Sequence, residues 1–367
     1  MALYLTQYYP EAVRKIVTDD ALETVIRKST ITEDSIAKLQ QTVETNRQVI
    51  PAAGHTSDKN PSAIFILCPP RSGSTLFRVM LAGHPSLFAP PELDLLTFET
   101  LQMRRSTMTD GDSFRLAGAI RAIMASHNCN AEKAIEIINQ YVAESTNSLN
   151  FYGQLQQWVA PKRLVDKSTF YPLDLEILKR IEQNFDQPLY LHLHRHPYGM
   201  IHSFEKARAD RLYFKEQAEF SVQEIGELTW LIAHQNILNF LQDVPTHRQH
   251  TVKFEDLVHH PEATMTNVCH FLGIELHPAM LQPYQDDKTR MTDGIHENSA
   301  SRMIGDVKFH EHQQINPDVA DRWRNDYTTD FLSDLGWQLA HSFGYKRDIS
   351  DNTLDTQLSS PIIDTIQ

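Results

Sequence analysis

The stretch "ILCPPRSGST", residues 66–75, begins like a buried strand and ends like a turn made for an anion. Upstream, "AIFILC" (63–68) is an all-apolar run, the pattern of a strand covered on both faces of a parallel sheet. Downstream, "STLFRVMLAG" has helical spacing and stops at Gly83, before His84 and Pro85. A Walker A phosphate loop reads G-x-x-x-x-G-K-[ST]. Aligned on Gly73, this chain has Cys68 at the first glycine and Ser74 at the lysine, so the motif fails at two positions. The geometry survives: a strand, a tight turn at Gly73, the hydroxyls of Ser72, Ser74 and Thr75, then a helix start. Backbone N–H groups and the positive helix end stabilise an anion there. Arg71 adds a planar fork suited to bridging oxyanions. An ordinary Arg-Ser-Gly-Ser turn is the alternative. The position between an apolar strand and an apolar helix favours anion binding.

Working outward, "LYLHLHRHPYGMIHSFEKARADR" repeats the strand–turn–helix plan: strand 189–194, turn at His196 and Pro197, helix through about 209. "RLVD" (163–166) and "HTVKF" (250–254) are candidate third and fourth strands. Helical stretches lie around 112–127, 131–145, 172–184 and 221–243. Strands alternating with helices predict an α/β fold with a mostly parallel sheet flanked by helices. Residues 1–60 read as a helical N-terminal extension and linker, 61–347 as the main domain, and 348–367 as a polar tail. In the extension, Leu22, Val25 and Ile26 share one helical face and Ile36, Leu39 and Val43 another. A packing appendage is favoured over a docking element.

The formal net charge of −13 argues against a protein that coats nucleic acid, so an anion site must be a local basic pocket. Cys68, Cys129 and Cys269 are far apart without a Cys-x-x-Cys, as expected of reduced thiols. The N-terminal stretch lacks the basic start and apolar core of a signal peptide, and no apolar run approaches the ~20 residues that span a bilayer. A soluble, cytoplasmic protein with no membrane partner is expected.

Arg195 ends the second predicted strand, and Ser203 follows eight residues on, in the next helix. An Arg and a Ser so placed can bind a second phosphate. Together, "PPRSGSTLFRVMLAGHPSLFAPPEL" and "YLHLHRHPYGMIHSF" resemble the two cofactor motifs of PAPS-dependent sulfotransferases. "LVDKSTFYP" and "TVKFEDLVHHPEAT" agree, and the resemblance runs from about 62 to 345. It extends in particular to the sulfotransferase domains of cyanobacterial polyketide synthases, of the curacin and olefin-synthase type, which the chain resembles. It implies a P-loop-like sulfotransferase core that binds PAPS and releases PAP. Arg71, Ser72, Gly73, Ser74 and Thr75 would hold the 5′-phosphosulfate, and Arg195 and Ser203 the 3′-phosphate. It further implies an acceptor hydroxyl on a 3-hydroxyacyl chain carried by acyl carrier protein, whose sulfate leaves during decarboxylation to a terminal alkene. No metal is expected, because a sulfuryl group carries less charge than a triphosphate and Arg, Lys and backbone donors can offset it.

Sulfuryl transfer to an alcohol needs in-line attack, stabilisation of the leaving oxygen and a base. Arg71 and Lys167, the latter in "VDKS" directly after a candidate strand, are the cations expected at the leaving side. Two residues compete as base. Glu92, in "HPSLFAPPELDLL", lies about where related sulfotransferases place a catalytic carboxylate. His296, in "MTDGIHENS", matches a T-D-G-x-H stretch of the polyketide domains, and the resemblance implies that this His is their base. Imidazole titrates near neutrality, which favours His296, with Glu92 orienting the hydroxyl or the His. The ordinary role for Glu92 is a helix-start acid after Pro90 and Pro91, and for His296 a solvent-facing loop residue. Where the curacin-type domain has an Arg in the long helix, this chain has Gln235 or His234, a departure that bears on the substrate.

Three further features stand beside this reading. His192, His194 and His196 are spaced two apart, but in a strand expected to pack inside the sheet rather than to bind metal. Arg208, Arg211 and Lys215 would form a basic face for an acidic carrier, or merely a solvated one, if their helix continues. "GDVKFHEHQQINPDVADRWR" resembles a loop that closes over PAPS, with Asn316 and Pro317 as N-cap and first turn and Lys308 or Arg302 as nucleotide contacts. The rival functions are sulfation of a free small-molecule alcohol or a protein tyrosine, a nucleotide kinase, and a non-enzymatic scaffold. The missing Walker lysine argues against the kinase.

Overall fold

Alternate residues of the strand Ile64–Leu67 (β1) enter two different cores. Phe65 and Leu67 pack into one cluster, Ile64 and Ile66 into another, and all four are buried. A strand in the middle of a covered sheet needs this apolar character on both faces. The structure, a computed structural model, describes residues 29–46, 59–108, 116–210, 219–295 and 309–347. The other strands are Leu87–Phe88 (β2), Arg163–Asp166 (β3), Leu189–His194 (β4) and Gln249–Lys253 (β5). They form one sheet in the order β2-β3-β1-β4-β5, with every pairing parallel. The expected mostly parallel α/β architecture is present.

Helices precede and connect these strands: Glu33–Asn46 (α1), Ser74–Ala82 (α2), Leu101–Thr107 (α3), Ala117–His127 (α4), Ala131–Ala143 (α5) and Ser148–Val159 (α6). Leu175–Asn184 (α7), Pro197–Lys206 (α8), Val222–Leu241 (α9), Phe254–His259 (α10), Pro261–Leu272 (α11) and Asp334–Ser342 (α12) follow. Residues from α4, α5, α6 and α7 fill the core on the Phe65 face of the sheet. Residues from α2, α10 and α11 fill the Ile64 face. A third cluster joins α1, α8, α9 and α12. In it, Ile36 and Leu39 of α1 are buried. Full burial of a side chain like Leu39 contributes about 2 kcal/mol. Leu22, Val25 and Ile26 lie outside the described residues.

The long helix α9 starts at a capping box. Ser221 Oγ accepts from the Glu224 N–H at 3.2 Å, and Glu224 Oε2 accepts from the Ser221 N–H at 2.9 Å. The second predicted helix is shorter than its periodicity suggests. It ends at Lys206, and Arg208 takes a left-handed φ of 48°. The basic face therefore has no single helix through Arg208, and Arg211 and Lys215 lie outside the described residues. The helix expected over 172–184 is split: a 3-10 turn at Tyr171–Leu173 comes first, and the α-helix α7 starts only at Leu175, after its N-cap Asp174, which accepts from Glu176 N–H. Asn316 does act as an N-cap, but of the 3-10 turn Pro317–Ala320 rather than of the last helix, which Ser333 caps.

Candidate active site

The predicted anion loop is shaped by backbone conformation as much as by side chains. Arg71 and Gly73 both adopt left-handed φ, 65° and 85°. Gly73 caps α2 with no side-chain hydrogen bond, and no acidic residue occupies the first turn, so the positive helix end keeps its N–H groups for a ligand. Glycine is required here twice over. Its φ disfavours a side chain, and a Cβ would lie 2.2 Å from the Phe254 ring. Ser72 is fully buried, and its Oγ has no hydrogen-bond partner among the described residues. A buried orphan hydroxyl in a strand–helix turn fits an oxyanion acceptor. Cys68 fills the first glycine position of the failed Walker motif. Burial pushes its thiol up to about 12, so it is a packing residue rather than a nucleophile.

The two predicted cofactor motifs brace each other. Arg71 Nε donates to Ser203 Oγ at 3.2 Å, and Arg195 Nη1 donates to the Arg71 carbonyl at 3.1 Å. Arg195 Nη2 donates to the Val319 carbonyl at 2.8 Å, which ties in the segment after residue 309. The Arg195 guanidinium also lies 4.4 Å from the centre of the Phe254 ring. Phe254 is thus wedged between Gly73 and Arg195, from the far end of β5.

Lys167 Nζ donates to Glu92 Oε1 at 2.5 Å, with the lysine side chain only 2% exposed. These residues stand 75 positions apart in sequence and meet because β2 and β3 are neighbours. Following the sheet order, Glu92 comes after β2, Lys167 after β3, the anion loop after β1 and Arg195 after β4. Four candidate groups therefore occupy the carboxyl ends of four adjacent parallel strands. At about 4.8 Å between strands, the row is about 14 Å long. The chain crosses from one side of β1 to the other between β3 and β4, the reversal at which open α/β sheets form their ligand crevice.

His296 lies outside the described residues, as do Lys308 and Arg302. The segment leading to it is anchored: Asp293 pairs with Arg121 at 2.7 Å, Thr292 Oγ1 donates to Asp287 Oδ1 at 3.0 Å, and the Thr292 carbonyl meets His310 Nε2 at 2.9 Å. His234 is fully buried, with Nδ1 2.9 Å from His192 Nε2. His192 and His194 share a strand face as expected, but His194 Nδ1 meets the Tyr345 hydroxyl at 2.8 Å. Tyr345 in turn donates to Glu255 Oε2, and Glu255 Oε1 accepts the His196 N–H at 2.9 Å.

Sequence reasoning did not assign roles to Phe254, Glu255, Tyr345 or Trp323, whose ring stacks on His196 at 4.6 Å. The Phe-Glu pair at the end of the predicted strand 250–254 is the available signal. Nothing local marks Tyr345, which reaches His194 across 151 residues.

An open parallel sheet with the predicted anion loop at its reversal point, and Lys167 and Arg195 at the neighbouring strand ends, has the P-loop-like architecture expected of a group-transfer enzyme. Residues 61–278 match the model of the sulfotransferase family. The chain belongs to that family and is a sulfotransferase. The sulfotransferase domain from the curacin biosynthetic pathway is 38% identical, covering 79% of this chain and 99% of that one, with a TM-score of 0.72. The sulfotransferase domain from the Synechococcus PCC 7002 olefin synthase is also 38% identical, covering 81% and 99%, with a TM-score of 0.71. Comparison with curated proteins returns no match. No helix among the described residues is long and apolar enough to cross a membrane.

Proposed function

We propose that this sulfotransferase moves a sulfuryl group from PAPS to the 3-hydroxyl of an acyl chain on acyl carrier protein, activating the chain for decarboxylative elimination to a terminal alkene. The row of Glu92, Lys167, the Arg71 loop and Arg195 along four strand ends carries the reading, because it matches an extended donor with a phosphate at each end. The carrier-bound acceptor is supported by the likeness to the sulfotransferase domains of the curacin biosynthetic pathway and of an olefin synthase. Residues 61–347 form the catalytic unit in this reading, with 1–60 as a packing extension.

PAPS, when bound, supplies the sulfuryl group and a good leaving phosphate. Ser72, Ser74, Thr75 and the N–H groups of the Gly73 turn would hold the 5′-phosphosulfate, and Arg71 would supply positive charge to it. Arg195 and Ser203 hold the 3′-phosphate. Lys167 offsets charge on the leaving side, and its pairing with Glu92 compensates the buried ammonium. His296 takes the acceptor proton, and Glu92 orients the hydroxyl or the imidazole. The test is a sulfation assay with PAPS that compares a carrier-bound 3-hydroxyacyl chain with the free acid and with tyrosine peptides. Turnover of the carrier-bound chain well above the others is expected. Preference for a free alcohol or a tyrosine peptide would replace the acceptor and keep the reaction.

A further inference from the structure

The loop that presents Glu92 has no helix or strand between Phe88 and Leu101, yet its backbone is held at Ala89 and from Leu93 to Leu96. Its carbonyls are taken by buried arginines. Arg78 Nη1 donates to Ala89 O at 2.9 Å, Arg104 Nη2 to Leu93 O at 2.8 Å, and Arg104 Nε to Asp94 O at 3.3 Å. Its N–H groups are taken by hydroxyls. Asp94 N–H donates to Ser168 Oγ at 3.0 Å, and Leu95 and Leu96 N–H donate to Tyr171 Oη at 3.1 and 3.2 Å. Helix α4 closes against the same loop through Gly118, where a Cβ would lie 1.8 Å from the Glu92 carbonyl.

Both hydroxyls converge on one carboxylate. Ser168 Oγ donates to Asp166 Oδ1 at 2.7 Å, and Tyr171 Oη donates to Asp166 Oδ2 at 3.1 Å. Each hydroxyl has a single proton. Because Asp166 accepts it, each oxygen is left to accept the loop's N–H groups. Asp166 is 1% exposed. It is faced by the Asp94 carboxyl from the loop, the Tyr171 and Ser168 hydroxyls from its own strand end and the Tyr152 hydroxyl from α6, and forms no ion pair among the described residues. A buried carboxyl without a cation is costly, so hydrogen-bond acceptance is what its position provides.

We propose that Asp166 is a positioning residue for sulfuryl transfer: by fixing the donor directions of Ser168 and Tyr171, it sets the backbone of residues 94–96 and so the placement of Glu92 against Lys167. The proposal rests on the active-site reading above. Two ties then join the same two segments, Lys167 to Glu92 through side chains, and Asp166 to the loop amides through hydroxyls. Burial first, and then the Asp94 charge, raise the Asp166 carboxyl to about 7. On protonation one of its oxygens ceases to accept, and one hydroxyl loses its fixed direction.

The experiment compares the intact protein with Asp166→Asn by hydrogen exchange and by steady-state kinetics. Asn offers one acceptor oxygen in place of two. Exchange in a peptide spanning 93–97 should quicken several-fold in Asp166→Asn, while α11 stays protected. In the wild type, protection of that peptide, corrected for intrinsic rates, should fall as pH drops through about 7, and the variant should show no such step. The kcat should fall about tenfold or more with the KM for PAPS within twofold, since Asp166 touches neither cofactor motif. In an Glu92→Gln background, Asp166→Asn should add little further loss. Tyr171→Phe, which removes one hydroxyl and keeps the ring, should act in the same direction and serves if Asp166→Asn folds poorly. Unchanged exchange at 93–97 in both variants, or a full multiplicative loss on top of Glu92→Gln, would overturn the proposal. Faster exchange together with a silent Glu92→Gln would instead overturn the role given to Glu92 and leave the loop-setting by Asp166 supported.

Discussion

Arg195 donates to the Arg71 carbonyl and to the Val319 carbonyl while its face covers Phe254, so its side chain is aimed before any ligand arrives. Such preorganisation lowers the entropic cost of gripping a phosphate. Arg195→Ala should therefore weaken binding of a 3′-phosphorylated nucleotide far more than of its 3′-dephospho form, by a charge-assisted bond's ~1.5–3 kcal/mol. Titration calorimetry with both nucleotides checks this, and equal losses would remove Arg195 from the 3′-phosphate. The base is a second question at this scale. If His296 takes the hydroxyl proton, His296→Ala should lower turnover roughly 10²–10⁴-fold with little change in PAPS affinity. Glu92→Gln keeps shape and a hydrogen-bonding group but leaves Lys167 without its carboxylate partner. Its loss should be the smaller of the two, and its rate should still fall as pH drops through the imidazole range. The reverse ranking would make Glu92 the base.

At the scale of elements, the site depends on strand ends and the helices they start. The turn from β1 into α2 works because residue 73 has no Cβ, which lets the Phe254 ring from the end of β5 pack against it. Gly73→Ala places a side chain in left-handed backbone, at a cost of about 1–2 kcal/mol, and also collides with that ring. Nucleotide affinity should drop at least tenfold and the melting temperature by several degrees. Adding Phe254→Ala should relieve the collision but not the backbone cost, so the double variant recovers only part of the affinity. A Gly73→Ala protein with undiminished nucleotide binding would show that the loop tolerates movement this packing forbids.

Across the whole molecule, burial sets opposing proton linkages. It lowers His192 to about 3 and His194 to about 4, and it raises Asp166 and Glu227 to about 7. For a histidine with a folded pKa below its unfolded ~6.5, the unfolded chain takes up the proton first. Stability from these histidines is therefore present above about pH 6.5 and is lost as pH falls toward the folded values. The two carboxyls act the other way. The folded state holds their protons between about pH 4 and 7, so falling pH stabilises it. A single substitution separates the two. The unfolding free energy of the wild type minus that of His194→Gln should shrink as pH falls from 6.5 to about 4, by up to about 1.4 kcal/mol per pH unit. Urea unfolding at several pH values measures it. A difference that stays flat over this window would mean that His194 is charged in the fold.

β1, β3, β4 and β5 were legible to within about a residue, because each is a short, largely apolar or β-favouring run whose pattern is local. The anion loop was legible for the same reason: its glycine, hydroxyls and helix start are consecutive. β2 was not, since two residues, Leu87 and Phe88, are too few to show a period and pair only because β3 lies beside them. Helices α6, α10 and α11 were passed over where apolar spacing was weak or a proline stood at the start. The sequence by itself determined the alternation of strands and helices, the anion loop and the types of residue able to carry the chemistry, because near-neighbour sterics and periodicity decide those. Only the tertiary structure decided that Glu92 meets Lys167, that Phe254 separates Gly73 from Arg195 and that the Ser168 and Tyr171 hydroxyls meet the loop amides at 94–96. Each of those contacts is made by the order of strands in the sheet, which joins residues far apart in the chain and leaves no local periodicity to read.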